Sequence, residues 1–152
     1  MDAVKGNIYQ ILNGAKQFVI PVYQRAYSWE KEQCQRLWSD IVAMQKAGRE
    51  GHFVGSIVNI AEKDMPIGVQ KFMIIDGQQR LTTLTLLLIA LRDYAKGHAD
   101  EGVNANKITD TLLLNTYEVE NDRYKLLLAQ TDRDILVKLI ESSPIKDGVK
   151  SR

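Results

Sequence analysis

Apolar residues recur at helical spacing in five stretches of the chain, and in four shorter stretches they alternate or run on without a break. Ile8, Ile11 and Leu12 make the stripe of a short helix over Asn7–Asn13; Asn7 caps it, Gln10 sits where a capping box needs it, and Gly14 ends it. Gln17–Ile20 reads as a strand stopped by Pro21, which has no N–H for a ladder. Cys34, Leu37, Trp38, Ile41 and Val42 follow the i, i+3, i+4, i+7, i+8 pattern of a helix capped by Ser28 and running to about Ala47. Phe53–Ala61 predicts a second strand with Gly55 and Ser56 inside it, and Glu62–Val69 a hairpin loop. Phe72–Ile75 predicts a buried strand and Leu81–Ala95 a helix apolar almost all round, closed by Lys96 and Gly97. After a polar loop over 98–106, Ile108–Tyr117 predicts a helix, Arg123–Leu128 a short extended piece, and Asp132–Ser142 a last helix capped by Thr131, with a polar tail from Pro144 that frays or marks a truncation point.

Strands and helices mix in the first 97 residues and helices dominate after them. The expected class is therefore α+β, a small mixed sheet with packed helices followed by a mostly helical C-terminal part of the same domain (1–97 and 98–152). The chain's 152 residues suffice for one domain with a proper core. A net charge of +1 excludes a strongly basic nucleic-acid arm but leaves room for a local basic face. Cys34 is the one cysteine, so no intrachain disulfide and no cysteine-rich zinc site can form, and it reads as an inert thiol on an apolar stripe. The first residues lack the apolar run of a signal peptide, and Leu84–Leu91 is too short to span a bilayer. The cytoplasm is the simplest compartment, with no membrane partner.

Chemistry concentrates where the strand ending at Ile75 meets the helix beginning at Leu81. Asp76, Gly77, Gln78, Gln79 and Arg80 lie between them. A sharp strand-to-helix turn presents free backbone N–H groups and the positive end of the helix dipole, which together favour an anion. Gly77 lets backbone approach a ligand closely, and Arg80 can grip phosphate with two donors. Asp76 can hold a metal ion, orient Arg80 or act as a base. Gln78 and Gln79 can bond a base or position water, or equally satisfy buried backbone groups. The bland alternative is an ordinary turn with Asp76 or Gln78 as a cap and Arg80 in a surface ion pair.

A second candidate wall is Pro21–Trp29, dense in aromatics around Gln24 and Arg25. Arg25 suits phosphate and Tyr23 can stack on a base, whereas Tyr27 and Trp29 belong better to packing. Thr82 and Thr83 follow the turn and can reach phosphate or Mg2+, although threonines so placed more often bond back within their helix. His52 reads as a surface residue, and neither it nor His98 has a metal-type partner nearby in sequence. No Gly-x-x-x-x-Gly-Lys-Ser/Thr motif is present, so nucleotide binding by a P-loop is excluded.

Ile20-Pro-Val-Tyr-Gln-Arg-Ala-Tyr-Ser-Trp29, Phe53-Val-Gly-Ser-Ile57 and Ile75-Asp-Gly-Gln-Gln-Arg-Leu-Thr-Thr-Leu84 resemble the domain of unknown function family 262. This is the N-terminal domain of GmrSD-type, modification-dependent restriction endonucleases and of related phage-defence proteins, placed with the ParB and sulfiredoxin-like fold. Tyr124-Lys-Leu-Leu-Leu and Thr131-Asp-Arg-Asp resemble its later segments. The resemblance implies that Asp76–Arg80 binds and helps hydrolyse a nucleoside triphosphate with Mg2+ or a similar divalent ion. Asp76 would stand at the metal, Asp76, Gln79 and Arg80 would be catalytic, and Gly77, Gln78, Arg80, Gln24, Arg25, Tyr23 and Thr82 would contact nucleotide. It also implies modified DNA as a partner and a nuclease domain of His-Asn-His type, in the same chain or a separate one; no such motif occurs here. The rival readings are a DNA-binding module that hydrolyses no nucleotide, and a protein-interaction scaffold without a small ligand.

Overall fold

The apolar run at 72–75 sits inside a four-stranded mixed sheet of order β2-β3-β1-β4. In the computed structural model the described residues are 6–48, 55–62, 68–98 and 101–141. The strands are β1 (Lys16–Val19), β2 (Val58–Ala61), β3 (Gln70–Asp76) and β4 (Leu126–Leu127). Among the described residues five α-helices accompany them: α1 (Ile8–Leu12), α2 (Lys31–Lys46), α3 (Gln78–Gly97), α4 (Ala105–Ile108) and α5 (Gln130–Glu141). The class is α+β, as the pattern predicts. His52, the strand start at Phe53, most of the hairpin loop and the tail from Pro144 lie outside the described residues.

β1 runs parallel to β3, with Phe18 opposite Phe72, and parallel to β4, with Phe18 opposite Leu126. β2 returns antiparallel to β3, so the predicted hairpin is present. The Phe18 and Phe72 rings stack with centroids 5.3 Å apart. With Ile74, Leu81, Ile89, Leu113, Leu136 and Ile140 they form one continuous core, which contributes most of the stability through removal of apolar area from water.

Several elements differ from the pattern, each for a local reason. α3 starts at Gln78, three residues before the apolar face begins at Leu81, so Gln78, Gln79 and Arg80 form its first turn. It is also not buried all round: Leu91 is 42% exposed. Gly97 falls within α3, and His98 takes the C-cap in place of a glycine. α2 starts after Glu30, whose backbone N–H donates to Gln33 Oε1 at 2.8 Å, and Ser28 is not its cap. The stripe of α2 stays half-exposed, with Trp38 at 53%, and lies outside the core that α3, α5 and the segment from α4 onward build with the sheet. β2 begins only at Val58, which leaves Gly55 and Ser56 ahead of the strand. The helix predicted to run to Tyr117 is α4 plus a π-helical turn, Thr109–Leu113. Asn115 ends it, since its side-chain amide donates to the carbonyls of Lys16 and Asp122 at 2.9 Å each. α5 begins at Gln130, so Thr131 lies within its first turn and does not cap it.

Two buried cations tie the helical part to the rest. Arg92, 2% exposed, reaches the last carbonyls of α5, Leu139 O at 2.8 Å and Ile140 O, and so acts as a C-terminal cap supplied by α3. Lys125, 3% exposed, donates to Gly14 O and, at 2.9 Å, to Asn115 Oδ1. It lines a cavity of about 200 Å3 at the amino edge of the parallel strands, and its two carbonyl bonds make it a staple between the chain before β1 and the chain before β4. Burial, then the nearby Lys16, pushes its ammonium down to about 8. Burial and the bond to Glu141 push the neighbouring Tyr124 hydroxyl up to about 12.

These shifts have opposite signs for stability. Between pH about 8 and about 10.5 the unfolded chain keeps a Lys125 proton that the folded protein has released, so stability rises with pH. Above about pH 10 the folded protein holds the Tyr124 proton that the unfolded chain loses, so stability falls toward pH 12. Urea unfolding across this range should show a rise from pH 8 to 10, no steeper than about 1.4 kcal/mol per pH unit, followed by a decline. Lys125→Met should abolish the rise; an unchanged profile in that variant would contradict the assignment.

Candidate functional site

β1, β3 and β4 all run toward one edge of the sheet, and three segments meet there: the Asp76–Gly77 turn after β3, the strap 20–29 after β1, and Gly55–Ile57 leading into β2. Ligands in open sheets of this kind gather outside the carboxyl ends of parallel strands.

The turn owes its sharpness to Gly77, which caps α3 in the left-handed region at φ +94°. A Cβ there would stand 2.8 Å from Ser56 O and 3.0 Å from Ile57 Cα, so only glycine allows the two segments to touch. The Asp76 carboxylate accepts the Gly77 N–H at 2.9 Å through Oδ1. No side chain caps the N-terminus of α3 and no acidic residue lies in its first turn. Arg80 occupies that turn instead, where the helix dipole disfavours a cation.

Arg80 leans toward β2, and its Nη1 donates to Ser56 O at 3.4 Å. Gly55, at φ +112°, makes room for it: a Cβ would meet Arg80 Cζ at 2.8 Å and crowd Nε further. The glycine that interrupts the predicted strand is thus explained by the approach of the arginine, which meets Ser56 through its backbone carbonyl.

On the other side of the turn Gln79 holds the strap. It is 7% exposed, its Oε1 accepts Ser28 N at 2.8 Å, and its Nε2 donates to Ala26 O at 3.2 Å. Both ends of the amide are therefore committed to backbone, which is the second of the two roles the sequence leaves open for it. Gln24 crosses to β3, donating to Ile75 O at 3.3 Å and accepting from Gln78 Nε2 at 3.3 Å. Tyr27 packs as expected, its hydroxyl 2.8 Å from Thr83 Oγ1 and 3.5 Å from Cys34 Sγ. Thr82 and Thr83 bond back to the carbonyls of Gln78 and Gln79 at 2.7 and 2.8 Å, the common habit of helical threonines.

The structure therefore brings Asp76, Gly77, Gln78, Gln79, Gln24 and Thr82 to one edge. It puts the two arginines on opposite flanks of the turn: Arg80 against Gly55 and Ser56, and Arg25 in a narrow cleft with Gln78, Gln79 and Thr82. The cleft holds roughly one water, about 10 Å3, so a larger ligand must sit across its mouth. Tyr23, 73% exposed, stands on the outer curve of the strap. Sequence reasoning missed Asp132, which lines the cleft from α5 and accepts Tyr27 N at 2.8 Å. Its position in a helix's first turn conceals the contact. Among the described residues no group of three or more His, Cys, Asp or Glu could hold a metal ion, and no helix is long and apolar enough to cross a membrane.

The described residues thus form an α+β domain whose parallel strands deliver an open helix terminus, two arginines and a row of glutamines to one edge. More particularly, the family model described as "GmrSD restriction endonuclease, N-terminal domain" matches residues 8–151, and the chain belongs to that family. No curated protein sequence matches the chain.

The interlock of the two glycines yields a test. Gly55→Ala should lower stability by roughly 1–3 kcal/mol, part backbone strain and part collision with Arg80. In an Arg80→Ala background the collision term disappears, so a double-mutant cycle in urea should show the two costs to be non-additive. Simple additivity would mean that Gly55 does not serve Arg80.

Proposed function

We propose that the edge built around Asp76–Arg80 binds a nucleoside triphosphate, and that the domain is the nucleotide-dependent sensor part of a modification-dependent restriction or phage-defence system. One observation carries the reading: the twenty-residue helix α3 has no side-chain cap and no first-turn acid, and a cation stands where an anion is expected. A phosphate at this terminus would satisfy the free N–H groups and offset the charge of Arg80 at once. Arg25 approaches from the opposite flank, so a polyphosphate lying across the turn would meet positive charge on both sides. Gln24 and Gln78, already joined at the rim, have amide groups suited to sugar or base, and Tyr23 offers an exposed ring for stacking.

A divalent ion such as Mg2+ fits this donor set in the manner usual for nucleotide-bound magnesium, with one carboxylate, phosphate oxygens and water. Asp76 would supply the carboxylate, and the ion would neutralise phosphate charge. The chain's own residues then position and stabilise: Gly77 and the N–H groups of α3 hold phosphate, Arg80 takes up developing charge, and Gln79 keeps the strap in place. Hydrolysis in such a site is phosphoryl transfer to water, achieved mostly by position and electrostatics. Membership of a restriction-endonuclease N-terminal family supports DNA and a nuclease domain as partners.

A second reading, DNA binding without nucleotide, draws on Val22 and Tyr23, which are 84% and 73% exposed beside Arg25. Here the arginines would hold DNA phosphates and the strap would stack on an extruded base.

Thermal unfolding with ATP, GTP, CTP and UTP, each with Mg2+, distinguishes them. At a hundredfold excess over Kd the bound nucleotide should add about 2.7 kcal/mol, and Arg80→Ala should remove most of that gain. If no nucleotide shifts the wild type, the first reading is wrong. Mobility shifts with modified and unmodified duplexes at two salt concentrations then test the second, which predicts steep loss of binding as salt rises.

A further inference from the structure

The Ala26–Ser28 segment of the strap is held chiefly by side chains of α3, with one backbone bond supplied from α5. Gln79 takes Ser28 N and Ala26 O, Thr83 meets the Tyr27 hydroxyl, and Asp132 accepts the backbone N–H of Tyr27 at 2.8 Å across 105 residues of sequence. Asp132 is the third residue of α5, a place where an acid helps a helix whatever direction it faces. It turns instead toward the strap, and it lines the cleft together with Arg25, Gln78, Gln79 and Thr82. The bond occupies a half-buried backbone donor that Gln79 cannot reach, because its own amide is already spent on the residues before and after.

We infer that Asp132 is a positioning residue for the nucleotide site: by holding the Tyr27 amide it fixes the backbone two residues from Arg25 and keeps that arginine on the flank of the turn. This rests on the nucleotide reading above. The bond between Asp132 and the strap, however, stands whether or not a nucleotide binds, and the two can fail separately.

The test uses the whole chain with Asp132→Ala and Asp132→Asn. Asparagine keeps an oxygen that accepts the Tyr27 N–H and loses only the charge. In the absence of ligand, hydrogen exchange at the Tyr27 amide should accelerate about tenfold in Asp132→Ala and stay near the wild-type rate in Asp132→Asn. Nucleotide affinity, read from thermal shifts with ATP and GTP in the presence of Mg2+, should follow the same order, falling about tenfold for alanine and being restored by asparagine. Unchanged exchange and affinity in Asp132→Ala would overturn the inference. Equal loss in both variants would overturn it too, since charge rather than the fixed strap would then be what matters. A wild type that takes up no nucleotide, combined with faster Tyr27 exchange in Asp132→Ala, would reject the nucleotide reading while leaving the strap contact established.

Discussion

The fold's functional edge depends on one close approach. Backbone at Gly77 and backbone at Ser56 lie so near each other that a single methyl group on the glycine would separate them. That contact sets where β3 ends, where α3 begins, and which way Arg80 leaves the helix. Gly55 repeats the device one segment away, removing its own side chain so that Arg80 can lie along the backbone. The left-handed φ at both positions admits glycine without strain and almost nothing else.

From that approach follows an electrostatic imbalance. A long helix with an unfilled N-terminus concentrates partial positive charge, and the chain adds Arg80 where an acid would settle the helix. Stability alone gives no reason for this; local rules are most often broken at sites that serve a ligand. The glutamines divide the remaining work. Gln79 is buried and holds backbone, whereas Gln24 and Gln78 stay at the rim, linked to each other and open to a further partner.

Much of this was legible in the sequence where a residue's conformational preference and its chemistry point the same way. Asn7 and Gln10 form their capping box, the run to Ile75 is a strand, and Asp76–Arg80 stands at the junction. Gly55 and Ser56 signalled a close contact because they weaken a strand without any other gain. What stayed hidden depends on partners far away in sequence. The start of α3 at Gln78 is set by Gly77 meeting Ser56, not by apolar periodicity. β4 is two residues long and becomes a strand only by lying beside β1. The helix expected to reach Tyr117 stops because Asn115 spends its amide on distant carbonyls. Asp132, Arg92 and Lys125 look like surface charges in one dimension, and each is drawn inward by a backbone group no local pattern reveals. The apolar stripe of α2 shows the opposite error: its periodicity is sound, yet the face remains half-open.

The grip of α3 on α5 has a consequence for how the molecule can be divided. Arg92 closes the carboxyl end of α5, and the strap that Gln79 holds is tied to its first turn through Asp132. A fragment cut after α3 would keep every residue of the Asp76–Arg80 turn. It would still lose a strand of the sheet, strip Arg92 of the carbonyls it was buried to meet, and leave the strap fastened on one side. The residues that define the signature are therefore fewer than the residues that hold it in place. The contacts that hold this edge together extend as far as α5, which ends at Glu141.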